Sequence, residues 1–112
     1  MINIQEREEQ GVMVFALEGR VDTQGAGDMD YALQSAVASG KTRIVLDMSR
    51  VAYISSAGLR TMADVLTRTT NAGGDLKLVS VSSRVARVLE IIGFMNFFSI
   101  YDSVQAAIAD FN

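Results

Sequence analysis

The sequence predicts one α/β domain on a mixed β-sheet, with parallel central strands, an N-terminal antiparallel strand and about four helices. Three observations carry this reading. Short apolar runs alternate with stretches whose apolar residues recur at helical spacing, the rhythm of βαβ units. The first two apolar segments are separated by a glycine turn, which reads as a hairpin. The chain has 112 residues, 49% hydrophobic and 21% charged, enough for one core and with no polar tract that suggests disorder. No linker or low-complexity stretch divides residues 1–112, so one domain is expected.

Ile2 and Ile4 alternate with polar neighbours, and Glu8-Glu9-Gln10-Gly11 supplies the turn into Val12-Met13-Val14-Phe15-Ala16-Leu17. The second strand is therefore expected to be the more buried one. Ala26, Met29, Leu33 and Val37 then lie on one helix face, and Gly40 is placed to end that helix. Residues 43–48 read as a strand. Leu59, Met62, Ala63 and Leu66 mark the next helix, stopped at Asn71-Ala72-Gly73-Gly74. Leu76-Lys77-Leu78-Val79 is the next strand, and Val85, Val88, Leu89 and Ile92 form a stripe ended by Gly93. A short strand is expected around Phe98-Ser99-Ile100. Asp102 and Gln105 have capping-box spacing before a last helix that buries Val104, Ala107, Ile108 and Phe111.

Composition narrows function. Net charge is −3 and no Lys/Arg stripe is present, which argues against nucleic acid as the partner. No apolar run approaches the roughly 18 residues that span a bilayer, and the N-terminus lacks a signal-peptide block, so the expected setting is cytoplasmic, without membrane insertion. Cys and His are both absent. That removes disulfides, Cys/His zinc sites and Cys- or His-based catalysis. A serine hydrolase lacks its base, and neither Gly-x-Ser-x-Gly nor Ser-x-x-Lys occurs. No phosphate-binding loop or dinucleotide fingerprint follows a strand. Asp22 and Asp28 or Asp30 are better read as helix-start caps, and Asp47 as lying within a strand run, than as a metal site, and no cofactor is expected.

Functional groups of an open parallel sheet gather outside the carboxyl ends of its strands. If the central strands are parallel, that edge collects Asp22, the pair Ser55 and Ser56, and the serines of residues 80–83. Ser55 and Ser56 stand where a strand turns into a helix. Either hydroxyl is a good N-cap, and either is also reachable by a kinase there, where a phosphate would face the positive end of the helix dipole.

These residues resemble the anti-sigma factor antagonists, whose fold is the STAS domain. The resemblance spans the chain and rests on Gly19-Arg20-Val21-Asp22, on residues 44–51, on Tyr53-Ile54-Ser55-Ser56-Ala57-Gly58-Leu59 and on Gly73-Gly74-Asp75-Leu76. It implies a non-enzymatic regulator. Its partner is a serine-kinase anti-sigma factor, which phosphorylates a serine two residues before the motif glycine. That serine is Ser56, with Ser55 the second choice. A serine phosphatase resets the phosphorylated form. The resemblance also places partner contacts on Asp22 and along Ser55, Ser56, Ala57, Gly58, Leu59 and Arg60. Two departures stand out: Ser55 replaces a frequent Asp, and Arg60 replaces a commonly small residue. The alternative is a STAS accessory subunit of a transporter or sensory complex that acts by binding without phosphorylation.

Elsewhere, Gly93-Phe94-Met95-Asn96-Phe97-Phe98 concentrates aromatics expected to close the core, and Met29, Met48 and Met62 are expected core filler.

Overall fold

A two-residue turn at Gln10 and Gly11, both at positive φ (53° and 78°), folds the first strands into a hairpin. The computed structural model describes residues 2–112. Its elements are β1 (Asn3–Glu9), β2 (Val12–Glu18), α1 (Thr23–Ala38), β3 (Arg43–Arg50), α2 (Ser56–Asn71), β4 (Asp75–Val79), α3 (Ser83–Ile91), β5 (Ile100–Tyr101) and α4 (Val104–Phe111). The five strands lie in the order β1-β2-β3-β4-β5. β1 pairs antiparallel with β2, and every later pairing is parallel. This is the mixed α/β sheet that the alternation of periods predicts.

Alternation along each strand divides the core in two. Phe15, Leu17, Ile44, Leu46, Met48, Leu76 and Leu78 meet Met29 and Leu33 of α1, Met62 and Val65 of α2, and Val85 and Leu89 of α3. The opposite face sets Val12, Val14, Val45 and Val79 against Ala107 and Ile108 of α4. Burying such side chains contributes roughly 1.5–3 kcal/mol each, so both faces must stay covered. Met29, Met48 and Met62 are fully buried, as their spacing predicts.

Lys77 is a buried charge on the α4 side. Its Nζ lies 3.3 Å from Asp75 Oδ2, 3.3 Å from Asp110 Oδ2 and 3.1 Å from Tyr101 Oη. It also sits 4.7 Å from the Phe111 ring centroid. Burial works against the ammonium charge, yet the bonds to Tyr101 and Asp75 hold its pKa above the ordinary 10.5. Tyr101 Oη and Lys77 in turn hold the Asp110 carboxyl below its ordinary 3.8. The cluster pins α4 to β4 and β5.

Several local readings are corrected. Ser103, not Asp102, caps α4, accepting from Ala106 N–H at 3.1 Å. The last strand is Ile100–Tyr101, displaced from Phe98-Ser99-Ile100. Ile92 falls at the end of α3 and is 44% exposed, so the buried stripe there ends at Leu89. The aromatic cluster is split between core and surface. Phe98 is buried, with Phe94 tilted against it at 6.2 Å between ring centroids, while Phe97 is 69% exposed.

Candidate functional site at the start of α2

The loops leaving β2 and β3 zip together beyond the sheet. Gly19 N–H donates to Arg50 O at 3.1 Å, and Val21 N–H donates to Tyr53 O at 3.0 Å. Ser55 N–H then donates to Val21 O at 2.7 Å, completing an isolated parallel bridge between Val21 and Ile54. The side chains of Val21 and Ile54 are buried in the main core. Two helix starts are thereby fixed side by side.

Both starts are capped by the residue after the bridge. Asp22 Oδ1 accepts from Gly25 N–H at 2.7 Å at the head of α1. Ser55 Oγ accepts from Gly58 N–H at 3.2 Å at the head of α2. Each satisfies one N–H group that a helix start leaves without an intrahelical partner. Asp28 and Asp30 do not cap; they lie within α1, and Asp30 accepts from Gln34. Asp47 lies within β3 and accepts from Ser49 N–H near the strand's end at 3.0 Å.

Ser56 is the first residue of α2 and is exposed. Among the described residues its hydroxyl makes no hydrogen bond within the chain. Of the two serines, one is thus committed to the backbone and the other faces solvent. Gly58 explains how closely the loops approach: a Cβ there would lie 2.7 Å from Val21 Cγ1 and 2.8 Å from Ile54 Cγ1. Leu59 is buried behind the loop, Ala57 is half-buried and Arg60 is exposed.

Beside Ser56 a groove of about 430 Å³ runs between α1 and α2. Thr23, Ala26 and Asp30 line one wall, and Ala57, Arg60 and Asp64 the other. Gln34 crosses it, donating to Asp64 Oδ2 at 2.7 Å and Asp30 Oδ1 at 3.3 Å. On the other side of the junction the Arg20 guanidinium stacks 4.2 Å over the Tyr53 ring. None of these cross-loop contacts has a sequence signal, because their partners come from different βα units.

Residues 80–83 follow β4, which runs parallel to β3, so they leave the sheet at the same edge. Ser80 donates to Asp102 O beyond β5 at 3.1 Å, and Ser82 caps α3 through Val85 N–H. Among the described residues none of these hydroxyls is hydrogen-bonded to Asp22, Ser55 or Ser56.

A family model for the STAS domain matches residues 3–107. The chain belongs to the STAS domain family. This STAS domain is 37% identical over 101 residues to BtrV of Bordetella bronchiseptica, a protein named as an anti-sigma factor antagonist, covering 90% of this chain and 87% of that one. In fold it is similar to an anti-sigma factor antagonist from Mycobacterium paratuberculosis, with a TM-score of 0.89, 22% identity and coverage of 99% and 94%. It is likewise similar to the Bacillus cell fate determinant SpoIIAA in its phosphorylated form, with a TM-score of 0.79, 17% identity and coverage of 98% and 100%. Among the described residues no helix is long and apolar enough to cross a membrane.

Proposed function

We propose that the protein is an anti-sigma factor antagonist whose binding to a serine-kinase anti-sigma factor is switched off by phosphorylation of Ser56. The observation that carries this reading is the division between two adjacent hydroxyls. Ser55 Oγ is held by Gly58 N–H, whereas Ser56 is exposed and its hydroxyl has no partner among the described residues. The similarity to BtrV supports the partner class, and the likeness to a phosphorylated SpoIIAA supports the switch.

The chain acts as acceptor and not as catalyst. No His or Cys is present to activate a hydroxyl. The γ-phosphoryl group of ATP passes to Ser56 Oγ, ADP leaves, and the hydroxyl proton goes to a base supplied by the kinase. The product adds about −1.5 to −2 charge beside the Asp22 carboxylate. The N-terminus of α2 offsets part of that repulsion, by roughly 0.3–2 kcal/mol. The fold therefore persists while the surface around Ser56, Asp22 and Arg60 goes from near neutral to strongly negative. Hydrolysis of the phosphoserine by a serine phosphatase restores the binding form.

Calorimetric titration against the isolated serine-kinase anti-sigma factor of the same cell tests the proposal. Unmodified protein binds, and Ser56→Asp or phosphoserine at position 56 weakens binding at least about tenfold, the effect of roughly 1.4 kcal/mol of misplaced charge. Equal affinity for both forms would favour an accessory subunit that works by binding alone.

A further inference from the structure

Arg60 stands four residues after Ser56 on α2, and both are exposed. Residues so spaced are neighbours on a helix surface, with Cβ atoms about 5–6 Å apart. Among the described residues Arg60 makes no ion pair, although it shares the α1/α2 groove with Asp30 and Asp64. The Asp64 carboxylate, four residues beyond Arg60, is already engaged. It pairs with Arg68 Nε at 3.2 Å and accepts from Gln34 at 2.7 Å. Asp30 accepts from the same glutamine. The groove thus uses its carboxylates among other partners and, among the described residues, leaves the Arg60 guanidinium without an ion pair, one helical turn from the serine.

We propose that Arg60 is the positioning residue for the switch: it pairs with phosphoserine 56 within the same chain and holds the phosphate over the first turn of α2. This rests on the reading of Ser56 as the phosphorylated residue. A guanidinium presents planar paired donors that suit phosphate oxygens, which an ammonium does not reproduce. The neighbouring charges set the need for it. Asp22, at the head of α1, repels the added dianion, and Asp30 and Asp64 add further negative charge from the groove walls. Arg20, in the loop before α1, is engaged elsewhere, stacked on Tyr53. In the paired state Arg60 is drawn from the groove toward the phosphate. Phosphorylation then changes two features of the docking surface, the charge at Ser56 and the cation in the groove.

The test installs phosphoserine at position 56 during synthesis, so that no kinase is needed, and follows the phosphorus resonance through a pH titration. Arg60 stabilises the dianion, so its second ionisation falls at lower pH than in Arg60→Gln. The expected separation is about 0.3 pH unit, the scale of an exposed i,i+4 pair. It shrinks in 0.5 M salt because exposed charges are screened. Arg60→Lys recovers only part of the lowering, since it keeps the charge but loses the paired donors. Identical midpoints in the parent and Arg60→Gln would overturn the proposal. So would a separation unchanged by salt, which would show that the substitution acts through the fold. Failure of a cognate kinase to label Ser56 would instead count against the switch itself and leave this measurement standing.

Discussion

Ser55 N–H donates to Val21 O at 2.7 Å, and this bond joins the loop leaving β2 to the loop leaving β3. Because of it, the residue after each bridge partner becomes a helix cap: Asp22 for α1 and Ser55 for α2. The next residue, Ser56, is then left on the surface. The candidate switch follows from backbone register and from no unusual side-chain chemistry.

The two serines should separate cleanly in stability. Ser55→Ala removes the cap at Gly58 N–H and is expected to cost about 1 kcal/mol. On a domain of this size that lowers Tm by roughly 5 °C. Ser56→Ala should change stability by less than about 0.5 kcal/mol, as for most exposed positions. Thermal unfolding of the two variants side by side measures the contrast, and equal losses would show that Ser56 shares the capping role.

Gly58→Ala tests the close approach of the loops. The new methyl would press on Val21 and Ile54, both buried and unable to withdraw without opening the core. A loss of about 1–3 kcal/mol is expected from overpacking, measured by urea unfolding. A neutral substitution would mean that the two loops are free to separate.

The C-terminal latch should show in pH dependence. The carboxyl of Asp110 is held below its ordinary 3.8 by Tyr101 and Lys77. A depressed folded-state value contributes stability above the unfolded pKa and loses it as pH falls through the folded one. Asp110→Asn should therefore melt below the parent at pH 7, and the gap should close as pH drops beneath 3.8. A constant gap across that range would show that the aspartate matters by packing and not by charge.

Lys77 offers a stronger variant of the same test. Lys77→Ala leaves Asp75, Tyr101 and Asp110 without their shared donor and opens space beneath Phe111. Losing these charge-assisted hydrogen bonds and the packed lysine stem is expected to cost about 1–3 kcal/mol. Hydrogen exchange should then speed up first in α4, before the amides of β3. Uniform acceleration across the sheet would contradict the picture of α4 as a separately pinned element.

The element order was legible because strand and helix periods differ, and each switch of period marks a βα unit. The parallel centre follows from those units. Finer assignments depended on contacts between distant segments. Ser55 and Ser56 are equally good caps by residue type, and only the Val21–Ile54 bridge decides which backbone is extended and which is helical. The capping-box spacing pointed to Asp102, yet the helix begins one residue later, after Ser103. Residue type did not tell Phe97 from Phe98, because the turn between α3 and β5 determines which ring enters the core. The burial of Lys77 had no signal either, since its partners Tyr101 and Asp110 lie in the last strand and helix.

The most direct measurement is phosphosite mapping by mass spectrometry on the protein and on its Ser55→Ala and Ser56→Ala variants, each isolated from its own cell. The account predicts a single phosphate on Ser56, retained in Ser55→Ala and absent from Ser56→Ala. A phosphate that persists in Ser56→Ala, or that maps to Ser55, would contradict it.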